Sequence, residues 1–265
     1  MRVLAALLLG ACLGAAQAQQ ERLVPALGAL ERGDYPQAID ALTHLANGGM
    51  VEAQFVLGST LERAPAPFAN PEQARSWYLK AAQAGHLGAQ NNLGAMYFDG
   101  RGAPRDFGEA LKWYRQAAEQ GSADAQHNLG LMYGQGLGTP RDPKEMAKWI
   151  QRAAASGAAR SQAQLGRLYL DGEGVERNLV EAARWLRLAA AQGNPMAQYF
   201  LATMLQKGLG LRRDLEAAYD LFQKAAEGGE KLAMRELATI YEMGLGVPSD
   251  PAKAKQWREK AARSP

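Results

Sequence analysis

Shifted against itself by 36 residues, this sequence falls into register again and again. The stretch LGAMYFDGRGAPRDFGEALKWYRQAAEQG over residues 93–121 returns as LGLMYGQGLGTPRDPKEMAKWIQRAAASG over residues 129–157. Leucines recur at Leu57, Leu93, Leu129, Leu165, Leu201 and Leu237. Tryptophans recur at Trp77, Trp113, Trp149, Trp185 and Trp257, with Leu221 in the remaining place, and each unit closes on an alanine pair such as Ala117 and Ala118. A fixed period between about 20 and 50 residues marks a repeat architecture, in which each unit buries its apolar face against its neighbours.

Within a unit, Ala89, Leu93, Met96 and Tyr97 follow the spacing of an amphipathic helix, here helix A. Gly94 sits inside that helix at a propensity cost of about 1 kcal/mol. Its recurrence at Gly58, Gly130 and Gly166, with Ala202 and Ala238 later, predicts a place where a second helix passes too close for a side chain. The pairs Gly100 and Gly102, Gly136 and Gly138, Gly172 and Gly174, Gly208 and Gly210, and Gly244 and Gly246 end helix A in a turn. Asp106, Asp142, Asn178, Asp214 and Asp250 then recur as N-caps of a helix B, and Glu109, Glu145 and Glu181 three residues on predict capping boxes. Helix B carries Ala110, Trp113, Tyr114, Ala117 and Ala118 on one stripe, with the indole placed to fill the wedge between successive pairs.

Six units are thus expected over residues 50–265, at 50–85, 86–121, 122–157, 158–193, 194–229 and 230–265. Residues 19–49 hold a faded copy: Leu45, Ala46 and Gly49 are in phase with Ala81, Ala82 and Gly85, but Ala41 takes the tryptophan place. A helix from Arg22 to Glu31 would complete that pair as an N-terminal cap.

Ahead of it, MRVLAALLLGACLGAAQAQQ joins a cation at Arg2 to an apolar run from Val3 to Ala15 and ends in Ala16-Gln17-Ala18, the pattern of a cleaved secretory signal. The run is shorter than the roughly 20 residues of a membrane-spanning helix. Removal of residues 1–18 and export to the periplasm are expected. The sole cysteine, Cys12, follows Leu9-Gly10-Ala11 as at a lipoprotein site, so lipid anchoring is the lesser alternative; it would leave a signal of only eleven residues. Loss of Cys12 with the leader removes disulfides, thiol catalysis and cysteine metal sites together. A formal net charge of +3 gives no electrostatic reason to seek nucleic acid or an anionic membrane. Lys112, Arg115, Lys148, Arg152, Arg184 and Arg187 read as solvated helix faces, and a monomer is expected.

The residues Leu93, Gly94, Tyr97, Gly100, Gly102, Asp106, Ala110, Trp113, Ala117, Ala118 and Gly121 resemble the pattern of the Sel-one-like repeat (SLR) family, a branch of the tetratricopeptide superfamily. The first unit departs from it with RAPAPFANPEQ in place of Gly-x-Gly, and the fifth has Leu205 and Leu221 for Tyr and Trp, which marks it as the softer unit. The resemblance implies an all-α, right-handed solenoid of antiparallel helix pairs whose concave surface, lined by helix A, holds protein or peptide partners.

Catalysis finds no foothold. The glycine pairs recur five times and lack the Lys-Ser or Lys-Thr of a phosphate-binding loop. His44, His86 and His127 share neither a repeat position nor metal-ligand spacing, and no serine lies in a Gly-x-Ser-x-Gly elbow. No cofactor and no metal is expected. Cysteine-rich relatives linked to β-lactam binding or hydrolysis differ from this chain in their cysteines. What varies from unit to unit is the groove-facing side of helix A, and there, on the expected concave face, the expected binding residues are Phe55, Asn91, Phe98, His127, Arg167, Tyr199, Thr203 and Arg235. Aromatic residues suit anchors and arginines suit carboxylate clamps. The expected function is a non-catalytic scaffold or adaptor of the periplasm. A regulator that sequesters a sensor-kinase domain or envelope enzyme is the alternative, and a weak envelope hydrolase a more distant one.

Overall fold

A computed structural model describes residues 21–263. The expected leader, with Cys12 and Ala16-Gln17-Ala18, lies outside the described residues. Those described are helical, with no strand among them. Helix α1 covers residues 21–31. It is followed by α2 (Tyr35–Asn47), α3 (Val51–Arg63), α4 (Pro71–Gln83), α5 (Leu87–Asp99), α6 (Phe107–Glu119), α7 (Ala123–Gln135), α8 (Pro143–Ala155), α9 (Ala159–Asp171), α10 (Leu179–Ala191), α11 (Pro195–Lys207), α12 (Leu215–Glu227), α13 (Lys231–Met243) and α14 (Pro251–Arg263). Odd-numbered helices from α3 on are helix A of a repeat and even-numbered ones helix B. The architecture is an all-α solenoid, and the chain divides into two compact units, one ending at Ser122 and one beginning at Ala123.

In the first unit α2 to α6 pack each on the next, and Leu23 and Ala26 of α1 join the core formed by Leu42, Leu45, Leu57, Tyr78, Leu93 and Trp113. In the second, α7 to α14 do the same, and α9 also meets α11 directly. The repeat leucines are the fixed points of both cores: Leu57, Leu93, Leu129, Leu165 and Leu237 are fully buried. Trp185 lies between its own helix A and the preceding helix B, among Met146, Ala147, Ile150, Leu165 and Leu168. The repeat indoles carry a cation on the outer face: Lys80 over Trp77 at 3.7 Å, Arg152 over Trp149 at 4.5 Å, Arg184 over Trp185 at 4.2 Å. Part of the expected solvated face is therefore a lid on the indoles.

The mid-helix glycines answer to a side chain. A Cβ at Gly94 would stand 2.8 Å from the Tyr114 ring, one at Gly58 2.8 Å from Tyr78, and one at Gly166 2.6 Å from Leu186. Gly100 ends α5 in the left-handed region at φ 76°, and a Cβ on Gly102 would collide with the Pro71 carbonyl at the start of α4. The loop glycines thus make the turn and let it lie against the previous repeat.

The caps form, but the reciprocal capping boxes do not. Asp106 Oδ1 accepts from the N–H groups of Gly108 and Glu109, and Asp142 and Asn178 do the same for α8 and α10. The N–H of each capping residue is already used: Asp106 donates to Tyr97 O, Asp142 to Tyr133 O and Asn178 to Tyr169 O. Glu109, Glu145 and Glu181 instead pair with Lys112, Lys148 and Arg184. The irregular loop of the first unit reaches the same end, because Asn70 caps α4 at Gln73 and donates to Leu61 O.

Candidate protein-binding faces

Helix A turns its leucines inward and leaves the residues two positions after them outward. That column reads Ser59, Ala95, Leu131, Arg167, Thr203 and Thr239, and each of the six is at least partly exposed. A constant inner column and a changing outer one are set by the same helix.

The structure sorts the eight expected binding residues. In the first unit, Phe55 stacks on His86 at 4.2 Å and leans on Tyr78 at 6.0 Å, so its ring is half committed to packing. Phe98 meets the edge of Phe107 at 5.4 Å, and Asn91 lies half-buried beside Asn92. In the second unit, Arg167 is partly exposed and reaches Asp171 at 3.4 Å and Glu173 at 4.0 Å. Tyr199 leans on Phe222 at 5.9 Å, and Thr203 Oγ1 donates to Tyr199 O. Arg235 is exposed. His127 is the one turned inward: it is 4% exposed, and its Nδ1 lies 2.9 Å from Ser161 Oγ. Burial, and then the nearby Arg160 charge, push its pKa down to about 4. The three clefts at the Gly-x-Gly loops contain none of the eight.

Several polar residues that sequence reasoning passed over are structural. Gln54, Gln90, Gln162 and Gln198 are buried on helix A and donate through Nε2 to the carbonyls of Ala46, Ala82, Ala154 and Ala190 in the preceding helix B. Their recurrence every 36 residues was a signal of this role. Ser161 stands in a column otherwise held by Ala53, Ala89, Ala125, Ala197 and Ala233, all fully buried. Arg141, Arg177 and Arg213 each donate from Nε, at 3.0 Å, to a carbonyl seven residues back, on Gly134, Leu170 and Gln206. Tyr78 donates to Glu62 at 2.8 Å and accepts from Asn92, and Arg101 pairs with the same Glu62. Burial, and then the Glu62 charge, raise the Tyr78 pKa.

His86 Nδ1 accepts from Ala89 N–H, so its proton resides on Nε2, facing Glu52 at 3.1 Å. Among the described residues no group of three or more His, Cys, Asp or Glu could hold a metal ion, and no helix is long and apolar enough to cross a membrane. The His127 and Ser161 pair is sealed from solvent, and the Arg160 charge acts on the imidazole.

The family model of the Sel1 repeat matches this chain at residues 51–86, 88–122, 123–157, 159–194, 195–230 and 231–264. In structure and sequence the chain is similar to a protective antigen present in uropathogenic Escherichia coli that displays an SLR fold, with 37% identity and a TM-score of 0.81 over 98% of this chain. It spans 56% of that antigen's length. A Sel1 repeat protein from Oxalobacter formigenes is 35% identical, with a TM-score of 0.79 over 89% of this chain and 96% of its own. An immunity protein from Pseudomonas aeruginosa shares the fold at 20% identity and a TM-score of 0.54, over 80% of each chain. No curated protein matches the chain in sequence.

Proposed function

The chain belongs to the Sel1 repeat family, and on that premise we propose that it is a non-catalytic scaffold of the bacterial periplasm that binds a protein or peptide through the outer face of helix A. One observation carries the reading. Along the same helices, the inner column from Leu57 to Leu237 does not change, whereas the outer column runs Ser59, Ala95, Leu131, Arg167, Thr203 and Thr239. Packing explains the first column and leaves the second to what lies outside. Export rests on Arg2, the apolar run after it and Ala16-Gln17-Ala18; N-terminal sequencing of the purified protein is expected to begin at Gln19.

A photo-reactive amino acid tests the face. Placed at Arg167 or Thr203 in the cell, it is expected to give one dominant adduct of higher mass, and at Lys148 on the outer side of α8 to give none. Adducts from Lys148 alone would move recognition to helix B. An envelope enzyme or a sensor domain in the adduct would select the regulator form of the reading.

A further inference from the structure

The cleft after α11 departs from its counterpart one repeat earlier in size and in charge. It measures about 690 Å³ and is lined by Arg187, Leu205, Leu211, Arg212, Arg213 and Asp214, with Leu215 and Glu216 at the start of α12. The corresponding cleft of the fourth repeat measures about 440 Å³ and is lined by Tyr169, Val175, Glu176, Arg177, Asn178 and Glu181. Leu205 takes the place of Tyr169, which removes a ring from the wall. Arg212 takes the place of Glu176, which reverses a charge, and Ala217 that of Glu181, while Asp214 and Glu216 take those of Asn178 and Val180, so each lining holds two acids but the arginines rise from one to three. What is acidic and narrow in one repeat is wider and cationic in the next.

The third repeat shows what this position accepts. Arg141 is held by its Nε on Gly134 O and gives its Nη2 to Glu173 at 2.6 Å. Arg213 is held the same way on Gln206 O, but 36 residues after Leu209, where Glu173 would next recur in phase, stands Leu245, so its own repeat neighbour supplies no acid. Arg187 and Arg212 likewise enter no ion pair among the described residues. Asp214 is occupied in capping α12 at Ala217 N–H.

We propose that this cleft receives an acidic peptide segment, with a carboxylate set among Arg187, Arg212 and Arg213 and an adjacent apolar side chain against Leu205 and Leu211. Guanidinium groups clustered over an apolar floor recognise a carboxylate beside a hydrophobic residue better than either alone. That the occupant is a peptide rests on the scaffold reading; the charge and shape of the cleft do not.

The test follows the arginine Nε–H signals of the full chain by NMR while three probes are added. These are a pool of hexapeptides with Glu at two fixed positions among Leu, Phe and Ala, the same pool with Gln for Glu, and inorganic phosphate. The acidic pool is expected to shift Arg187 and Arg212, to weaken as salt rises past about 0.15 M, and to lose about tenfold or more in affinity with R187Q/R212Q. R212E, which restores the acid of the fourth repeat, is expected to abolish binding. These arginines are exposed and unpaired, so circular dichroism of the variants should match the parent. Equal shifts from the neutral pool, undiminished binding by R187Q/R212Q, or phosphate displacing the acidic pool at equal concentration would overturn the proposal. A helix A adduct with a silent cleft overturns this inference alone, and cleft binding without that adduct overturns only the helix A reading.

Discussion

His127 sets packing against charge. Its ring is enclosed beside Ser161, the Arg160 charge acts on it, and the folded protein holds it neutral down to about pH 4. Unfolded, a histidine takes its proton near pH 6.5. Between those values the unfolded chain binds a proton that the folded chain refuses, so this contribution to stability is complete above about pH 6.5 and drains away as pH falls toward 4. The gap corresponds to a loss on the order of 3 kcal/mol. Urea unfolding midpoints should therefore fall further between pH 7 and pH 4.5 for the parent than for His127→Asn, which cannot titrate. Parallel declines would assign the acid sensitivity to other groups. The same residue shows how helix A periodicity can take a buried side chain for an exposed one. His127 falls in a column with Phe55, Asn91, Tyr199 and Arg235, which vary as surface residues do, and its partner is in another column, 34 residues on. The readable clue was a serine in a column of alanines.

At the scale of the helix, the sequence was legible wherever one residue type does one local job. Asp106, Asp142 and Asn178 begin helices and Gly100 and Gly172 end them, because a side-chain acceptor or a positive φ is needed whatever the tertiary setting. The capping box was misread because the competing acceptor is remote in sequence: the carbonyl of Tyr133, at 2.8 Å, takes the Asp142 N–H before Glu145 can. Glu145 is left with Lys148 on the surface, a pairing worth at most about 1 kcal/mol and commonly less. Asp142→Ala should accordingly cost about 1 kcal/mol, and Glu145→Ala no more than about 0.5 kcal/mol. Chemical denaturation of the two variants checks this, and equal losses would restore the reciprocal box. The buried glutamines were legible as a recurring column, but their partners were not, for a related reason. A polar residue on a helix reads as solvent-facing until the carbonyl it serves, eight residues back across a turn, is known.

For the whole molecule, a repeat chain should be divisible at its period, because each unit's contacts are drawn from itself and its neighbours. Residues 158–193 make the sharpest case. Removing them joins Gly157 to Asn194, which holds the same place in the period as Ala158. The new neighbour presents Gln198 where Gln162 had donated to Ala154 O, and Ala202 with Phe222 where Gly166 had met Leu186. Leu201 replaces Leu165 in the core column. Two contacts are not replaced: Ala197 stands where Ser161 had met His127, and Leu221 where Trp185 had filled its wedge. The shortened chain should therefore fold with unchanged helicity per residue but melt earlier, since a neighbour interface has exchanged an indole for a leucine, a loss of about 1 to 3 kcal/mol. Restoring the aromatic residue with Leu221→Trp should recover part of the difference, whereas the same substitution in the full chain must fit a wedge already shaped for leucine and should not stabilise it. Circular dichroism melts of the four proteins decide the matter. A shortened chain that loses helicity per residue would mean that the period seen in the sequence is not the unit by which this molecule holds together.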